Sequence, residues 1–394
     1  MTSWKKGRKI LVCVTGGIAA YKIPSLIRLI KKSECEVEII LTKSAKNFVA
    51  PMTLETLSGR KVWTDDDFDG QIPHIKLSSW ADVIAVAPCT ANTLAKIAHG
   101  LADNLLTSTI IASDRPALIF PAMNEKMFDN KAAQSNIATL KARGFRVVQP
   151  SSGFLACVDS GKGRMPEPGE ILLEILRALC VKDMAGKKVL VTAGPTHEYI
   201  DPVRYISNPS TGKMGAAMAR SAWYRGADVR IITGPVNVDS WGMESIRVTS
   251  ASEMMSAVIS NLSWADYVVK AAAVGDYKAK EISGRKIKRE GRDALTLELV
   301  SNPDIAAEAG KLKRDGQILI GFAAETDRIS ENARAKIVRK NLDFILANDV
   351  TGKDSGFASD TNTLRLISRS GSEEIFSGLK EDISFDVWSR IIAG

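Results

Sequence analysis

The feature that most constrains this chain is a strand-to-glycine unit that occurs twice. Ile10–Val14 is a continuous apolar run that leads into Gly16 and Gly17, and Val189–Ala193 repeats the arrangement before Gly194. Such a run predicts a strand buried on both faces, and glycine at its end favours a tight turn into a helix. The tetrapeptide Ser-Trp-Ala-Asp also precedes an apolar run in each half of the chain. We therefore expect two tandem α/β units.

Strand-like and helix-like segments alternate through both halves. The expected strands are 10–14, 37–42, 83–87 and 117–121, then 188–193, 228–233, 266–272, 317–322 and 343–347. The expected helices are 18–31 and 124–143, then 213–225, 251–262, 303–314 and 328–340, before a hairpin over 360–376 and a closing helix over 379–392. This alternation predicts mostly parallel sheets with helices on both faces. A short polar join places the domain boundary between 185 and 186.

Charge and composition indicate which kinds of ligand and partner the chain can bind. The net charge of the 394 residues is +8, and no Lys/Arg run is interleaved with aromatic residues, so anionic small molecules fit better than nucleic acid. No apolar run approaches the roughly 20 residues of a membrane span, and a cytoplasmic location without a membrane partner is expected. The 5 cysteines form no Cys-x-x-Cys pair and there are only 3 histidines, which argues against a disulfide framework and against a protein metal site.

The standard nucleotide fingerprints are absent. Thr15–Ala20 lacks the spacing of dinucleotide-binding glycines, and Ser210–Met214 differs from a phosphate loop because Ser207 stands where glycine is needed. Three loops that follow expected strands, 15–17, 42–45 and 87–93, instead carry glycine and small hydroxyl residues. Each loop alone fits ordinary helix capping, but three in one domain favour a mononucleotide site at the strand ends.

Cys157 lies in a segment, Gly153–Met165, that contains three glycines and two cations. Taken alone, this cysteine fits a buried small hydrophobe as well as a reactive group. Gly161 and Gly163 predict a mobile loop that closes over a bound substrate. Together with His74 and Pro121–Met127, and with segments 15–22, 41–45, 87–96 and 100–106, the first half resembles the FMN-dependent cysteine decarboxylases.

This resemblance implies bound FMN and names the residues around it. The flavin contacts would be Gly16, Gly17, Thr42, Pro88, Thr90 and Asn92. His74 would be the catalytic base, Asn124 would hold the substrate carboxylate, and Cys157 would be the proton donor. Oxidation of the carbon next to sulfur supplies the electron sink that a cysteine carboxylate lacks. A thiol with a reference pKa of roughly 8.5 can then protonate the product, and an imidazole with a reference pKa of roughly 6.5 can act as a base.

The second half is similar to the CTP-using phosphopantothenate–cysteine ligases in segments 194–215, 271–277, 286–288, 302–305, 321–326 and 336–343. The resemblance implies that Asn208 stabilises an acyl-cytidylate and that Arg204 orients the acyl substrate, with Lys286 contributing to catalysis. The implied CTP site consists of Asp276, Lys286, Pro303, Asp304, Ile305, Ala306, Phe322, Lys336 and Lys340. Lys336 and Lys340 are also four residues apart on one expected helix, although surface lysines of this kind are usually only solvated. Magnesium would bridge the phosphates, because it prefers oxygen ligands.

The two resemblances together imply two Rossmann-like (flavodoxin-like) domains with mostly parallel, doubly wound sheets. They imply coenzyme A biosynthesis from 4′-phosphopantothenate, cysteine and CTP, with decarboxylation to 4′-phosphopantetheine. A homo-oligomer, a dodecamer in the family pattern, would follow. Two alternatives stay open: a non-enzymatic flavoprotein regulatory subunit, and a peptidyl-cysteine oxidative decarboxylase.

Overall fold

The computed structural model describes residues 3–67, 72–154, 160–289, 294–325, 329–349 and 359–393. Internal contacts divide the chain into two compact units, residues 2–180 (unit one) and residues 181–394 (unit two). Among the described residues, no helix combines the length and the apolar character that crossing a bilayer requires.

Unit one is built on a six-stranded sheet in which all neighbours are parallel. Its strands are β1 (Lys9–Val14), β2 (Glu36–Leu41), β3 (Val62–Trp63), β4 (Val83–Cys89), β5 (Ala117–Pro121) and β6 (Arg146–Val147), in the order β3-β2-β1-β4-β5-β6. Its helices are α1 (Ile23–Lys32), α2 (Pro51–Ser58), α3 (Pro73–Trp80), α4 (Ala91–His99), α5 (Leu105–Ile111), α6 (Glu125–Phe128), α7 (Lys131–Ala142) and α8 (Pro168–Leu179). A separate antiparallel hairpin pairs β7 (Ser151–Phe154) with β8 (Ser160–Arg164).

Two sequence-based expectations for unit one were wrong. The single helix expected over 124–143 is two helices, because Asn124 and Asn130 each cap a new helix by accepting a backbone N–H with the side-chain oxygen. The segment around Cys157, expected as a loop, forms antiparallel strands on both flanks, whereas its mobility stays a prediction. Cys157 itself lies outside the described residues.

Unit two contains an eight-stranded sheet in the order β13-β12-β9-β14-β17-β18-β19-β20. Its strands are β9 (Lys188–Ala193), β12 (Asp228–Thr233), β13 (Glu244–Arg247), β14 (Tyr267–Lys270), β17 (Ile318–Glu325), β18 (Phe344–Asp349), β19 (Thr361–Ser368) and β20 (Glu373–Leu379). Neighbouring strands from β13 to β18 pair parallel, whereas β19 pairs antiparallel with both β18 and β20. Two small antiparallel pairs join β10 (Glu198–Tyr199) to β11 (Tyr205–Ile206) and β15 (Tyr277–Ala279) to β16 (Leu299–Ser301). The helices are α9 (Lys213–Tyr224), α10 (Ala251–Leu262), α11 (Ile305–Leu312), α12 (Ile329–Arg339) and α13 (Lys380–Ala393).

The cores explain why both sheets are doubly wound. The central strands β1 and β4 are buried almost throughout, so they need helices on both faces. In unit two, α10, α11 and α12 share one apolar cluster with the sheet. On α13, the fully buried Trp388 donates its indole N–H to the Met218 carbonyl of α9 at 2.9 Å. The predicted fold class, two α/β units with mostly parallel sheets, is confirmed.

Candidate functional site

In unit one, the buried hydroxyl of Thr15 ties together the ends of two adjacent strands. Thr15 follows β1, and its Oγ1 donates to the Pro88 carbonyl at 2.7 Å and accepts the Thr90 N–H at 3.1 Å. Pro88 and Thr90 lie at the end of β4. The carboxyl ends of β1 and β4 therefore form one continuous backbone surface, at the sheet edge where open α/β folds bind ligands.

A third loop packs against this surface so closely that only glycine fits. A Cβ on Gly16 would lie 2.4 Å from the Ser44 Cβ, whereas a Cβ on Gly17 would only touch the Thr90 methyl at 3.8 Å. Thr42 holds the same loop in place by donating its hydroxyl to the Val14 carbonyl at 3.2 Å. Gly16, Gly17, Thr42, Pro88 and Thr90, which the sequence predicts as flavin contacts, are thus brought together.

Helix α4 begins at this edge and supplies an anion-binding end. Thr90 caps the helix by accepting the Thr93 N–H at 3.3 Å, and Asn92 is exposed in the first turn. The first N–H groups of a helix have no partner within it and carry the positive end of its dipole. Small side chains, available N–H groups and close backbone approach fit a phosphate monoester such as that of FMN.

The hairpin that flanks Cys157 is anchored next to Asn124. The Met123 N–H donates to the Gly163 carbonyl at 3.1 Å, and a Cβ on Gly163 would lie 2.2 Å from the Met123 carbonyl oxygen. Gly163 has φ +142°, a backbone conformation that disfavours other residues. Lys22, which is buried, donates its Nζ to the Met165 carbonyl and to Glu167, both at 2.9 Å. Asn124 is exposed at the start of α6.

His74 reaches the same edge on a different element. It is half-buried in the first turn of α3, and α3 ends just before β4 begins. Because this helix returns the chain to the start of a parallel strand, its first turn lies towards the strands' carboxyl ends. The fold thus places His74 and Asn124 at the same edge of the sheet. Cys157 lies outside the described residues.

In unit two, three side chains hold the segment that leads to Asp276. Thr196 Oγ1 accepts the Gly275 N–H at 3.0 Å, and Asn302 Nδ2 donates to the Gly275 carbonyl at 2.9 Å. Asn208 Nδ2 donates to the carbonyls of Ala273 and Val274, each at 3.2 Å. The predicted residues Asn208 and Asp276 are therefore close together, and the donors of Asn208 are engaged with this segment.

Asp201 organises the second part of this site. Its fully buried carboxylate accepts the N–H groups of Val203 and Arg204 at 2.8 Å and that of Ile287 at 3.1 Å, and it pairs with the Arg204 guanidinium at 3.0 Å. Burial raises the pKa of Asp201, but these N–H groups and Arg204 outweigh burial, so the pKa lies below its usual value. Arg204 also donates to the Ile287 carbonyl, which brings it beside the predicted Lys286.

A cationic cavity opens beside this junction. Its volume is about 640 Å³, within the usual range for small-molecule sites, and its lining is Arg204, Lys286, Ile287, Lys288, Arg289, Ala294 and Leu295. Four of these side chains carry positive charge, so the cavity suits an anionic ligand.

Of the remaining predicted nucleotide residues, Pro303–Ala306 and Lys340 lie together at the start of α11. Asp304 caps the helix by accepting the Ala307 N–H at 3.1 Å, and its carboxylate pairs with Lys340 at 2.9 Å. The Lys340 N–H donates to the Lys336 carbonyl at 3.0 Å, at the end of α12. Burial raises the pKa of Asp304, but Lys340 and the helix N–H lower it below its usual value. Pro303, Ile305 and Ala306 form the first turn and its approach, and Phe322 is half-buried on β17.

Sequence analysis missed Lys270, a buried lysine at the end of β14. Asp304 and Lys340 are close enough to act on its charge. The signal was present in the sequence, because this lysine interrupts the otherwise apolar run 267–273.

Comparison with known proteins agrees with the division of the chain into residues 2–180 and 181–394. Residues 2–179 match the family described as Flavoprotein, and residues 184–393 match the DNA/pantothenate metabolism flavoprotein C-terminal domain. The coenzyme A biosynthesis bifunctional protein CoaBC of Bacillus subtilis is 43% identical, covering 98% of this chain and 97% of that protein. That of Haemophilus influenzae is 42% identical with coverage of 98% and 97%. A crystal structure of a C-terminal domain of CoaBC is 34% identical, with a TM-score of 0.45, covering 54% of this chain and 97% of that one.

Fold and sequence define a two-part α/β protein in which a flavoprotein domain precedes a pantothenate-metabolism domain. The chain belongs to the family of bifunctional coenzyme A biosynthesis proteins CoaBC.

Proposed function

We propose that this protein is a bifunctional enzyme of coenzyme A biosynthesis. Residues 186–394 join cysteine to 4′-phosphopantothenate at the expense of CTP, and residues 1–185 decarboxylate the product to 4′-phosphopantetheine. The observation that carries the proposal is family membership over nearly the whole chain. The contacts of Gly16, Thr42 and Thr90 at the carboxyl ends of β1, β2 and β4, where open α/β folds bind ligands, support the FMN part of the proposal.

In the decarboxylase half, the chain's own residues bind FMN and move protons. The backbone around Gly16 and Gly17, with Thr42, Pro88, Thr90 and Asn92, holds the flavin phosphate. FMN would supply the two-electron acceptor for the substrate carbon next to sulfur and, once reduced, the donor for the product. Asn124 holds the substrate carboxylate, His74 accepts a proton, and Cys157 donates one to the product. The Met123–Gly163 hydrogen bond supports these roles because it anchors the Cys157 hairpin beside Asn124.

In the ligase half, the acyl carboxylate attacks the α-phosphate of CTP and pyrophosphate leaves. The amine of cysteine then attacks the acyl-cytidylate, and CMP leaves. Arg204 orients the acyl substrate and Lys286 binds phosphate. Asn208 stabilises the oxygen that becomes negative by exchanging one of its two carbonyl acceptors, Ala273 or Val274, for that oxygen. Asp276, Phe322, the 303–306 turn, Lys336 and Lys340 complete the CTP site, and Mg²⁺ would neutralise part of the phosphate charge there. The shared Asp201 bridge between Arg204 and the Lys286 segment supports this arrangement.

Product analysis tests the whole proposal. Purified protein given CTP, Mg²⁺, cysteine and 4′-phosphopantothenate should form 4′-phosphopantetheine, carbon dioxide, CMP and pyrophosphate, and mass analysis of the released flavin should give FMN. Release of CDP and phosphate would contradict the cytidylate route. Flavin without turnover would instead support a regulatory flavoprotein, and an enethiol product from peptides would support a peptidyl-cysteine decarboxylase.

A cysteine variant tests the proton donor. Cys157→Ser should decarboxylate but accumulate the enethiol, with 4′-phosphopantetheine formation lowered about 10²-fold or more, because a hydroxyl is a much weaker acid than a thiol. Mass spectrometry of the thiol products measures both species, and ligation by the same preparation is the internal control. Formation of 4′-phosphopantetheine at the parental rate would show that Cys157 is structural.

The proposal also includes a homo-oligomer, a dodecamer in the family pattern, and a cytoplasmic location. The described cysteines 13, 35, 89 and 180 are buried free thiols, which fits a reducing compartment. Light scattering coupled to size exclusion measures the assembly, and cell fractionation measures the location.

A further inference from the structure

Lys270 is a buried charge that the proposed mechanism leaves without a role. It ends β14, which lies between β9 and β17 in the middle of the sheet, and only 8% of the residue is exposed. Its Nζ is buried and has no hydrogen-bond partner among the described residues. An ammonium group kept from water without a partner strongly destabilises a fold, so buried lysines usually serve a bound group or an ion pair.

The strand geometry directs Lys270 towards the first turn of α11. Val268 lies on the sheet face covered by α11 and α12, and residues two apart on a strand share a face. Lys270 therefore lies under these helices. Its registered neighbours on β9 and β17 are Thr192 and Gly321, which carry no charge. The charged groups that act on it are Asp304, at the start of α11, and Lys340, after α12.

This group of charges has an excess of positive charge. The carboxylate of Asp304 is already engaged, because it caps α11 and pairs with Lys340 at 2.9 Å. Among the described residues, Lys270, Lys340 and the positive end of the eight-residue helix thus face the Asp304 carboxylate, and the site is cationic whenever Lys270 is protonated. Binding of an anion at such a site is electrostatically favourable.

We infer that the Lys270 ammonium binds a phosphate oxygen of the nucleoside triphosphate at the first turn of α11, and that Lys270 takes up a proton when the nucleotide binds. This inference rests on the proposed ligase function. The proposed CTP site then includes a buried lysine that is protonated when the nucleotide is bound and largely neutral when the site is empty.

The titration of Lys270 supports the second half of the inference. Burial lowers its pKa, Asp304 partly opposes this and Lys340 adds to it, and the resulting pKa is about 7. Near pH 8 the free site is therefore mostly neutral at this position. A bound phosphate favours the charged form and raises the pKa, so binding must draw a proton from solution. Affinity should be fully present below pH 7 and should decrease as the pH rises above it.

Calorimetric titration of the full-length protein with CTP measures this directly. Excess Mg²⁺ keeps the nucleotide phosphates ionised, and two buffers with different ionisation heats report the protons taken up. Between pH 7.5 and 9 we expect uptake approaching one proton and a Kd that rises by about tenfold per pH unit, the slope of one titrating group. Inorganic triphosphate should show the same proton uptake, because the effect belongs to the phosphates.

Matched variants assign the proton to this residue. Lys270→Met should weaken CTP binding at least tenfold at pH 6.5 and abolish the pH slope, whereas Lys270→Arg should bind without the slope. Lys311→Met changes an exposed lysine at the far end of α11 and should behave as the parent.

Parental CTP binding with no proton uptake, or a slope that persists in Lys270→Met, would overturn the inference and leave the ligase function standing. A folded parental protein that binds no CTP at any pH would overturn the ligase function itself. If the variants do not fold, the proton uptake and the pH dependence of the CTP Kd in the parental protein decide whether the inference holds.

Discussion

The two units place their proposed nucleotides at the same edge of a parallel sheet but shape that edge with different chemistry. In unit one, the contacts that form the edge are made by backbone and by uncharged residues, as in the approach of Gly16 to Ser44 and the hydroxyl bonds of Thr15. In unit two, they include the Asp201–Arg204 and Asp304–Lys340 pairs and the buried Lys270. Shape dominates the first site, and charge dominates the second.

This difference matches the proposed ligands. A flavin cofactor carries one phosphate monoester and stays bound through many turnovers, so close backbone contact suffices. A nucleoside triphosphate carries several negative charges, is consumed and must leave as two anions. A cationic site attracts such a ligand, and its affinity responds to salt and pH. Substitutions in either site and changes of salt or pH test whether the two sites differ in this way.

The largest effect is expected from a charge placed in the ligase site. Asn208→Asp replaces the amide that donates to the Ala273 and Val274 carbonyls at 3.2 Å. A carboxylate cannot donate to these oxygens or to an oxygen that becomes negative, so ligation should decrease about 10²–10³-fold, as when an oxyanion donor is removed. Pyrophosphate release from labelled CTP measures the effect. Asn237→Asp adds the same charge at an exposed position and should ligate normally. Flavin content should be unchanged in both.

The next effect concerns shape in unit one. Gly16→Ala would place a Cβ 2.4 Å from the Ser44 Cβ, so one of the two loops must move. Overpacking of about 1–3 kcal/mol corresponds to roughly 5- to 150-fold weaker FMN binding. Fluorescence titration of the flavin-depleted protein measures the Kd. Gly169→Ala, where a Cβ meets nothing within 4 Å, is the control. Equal FMN affinity for Gly16→Ala and the parent would contradict a site defined by shape.

Salt separates the two sites in the parental protein. Raising NaCl from 0.05 to 0.5 M shortens the Debye length several-fold and should weaken CTP binding about tenfold, with little change in FMN binding. Parallel titrations of CTP and FMN test this. Cytidine, which has the base but no phosphate, is the control ligand. Equal salt dependence for FMN and CTP would remove the distinction.

The smallest effect is on stability. The folded-state pKa of Lys270 is lowered from 10.5 to about 7 by burial, so the unfolded chain binds more protons between these values. Stability of unit two should therefore rise as the pH increases from 7 towards 10, and the destabilisation is fully present below 7. Lys270→Met should remove this slope and raise the Tm by about 4 °C or more near pH 7. Calorimetric scans across this range measure it, with Lys311→Met as control. A slope retained in Lys270→Met would assign it to another group.

Much of the fold could be predicted because it depends on local patterns. The apolar runs at Ile10–Val14 and Val189–Ala193 became buried central strands. The break between α6 and α7 was missed because capping by Asn130 competes with a helical pattern that continues through it. The hairpin β7–β8 was missed because antiparallel pairing of short glycine-rich segments leaves no clear periodicity.

The two α/β units, the family and the residue types at the strand ends were predictable from the amino-acid sequence, because they follow from periodicity and from motifs contiguous along the chain. Tertiary structure decided which loops meet: Gly16 with Ser44, Met123 with Gly163, Asn208 with Ala273. It also made Lys270 a buried charge, since the same lysine on an exposed strand would be solvated. Burial and the proximity of residues distant in sequence arise only when the sheet and its helices pack together.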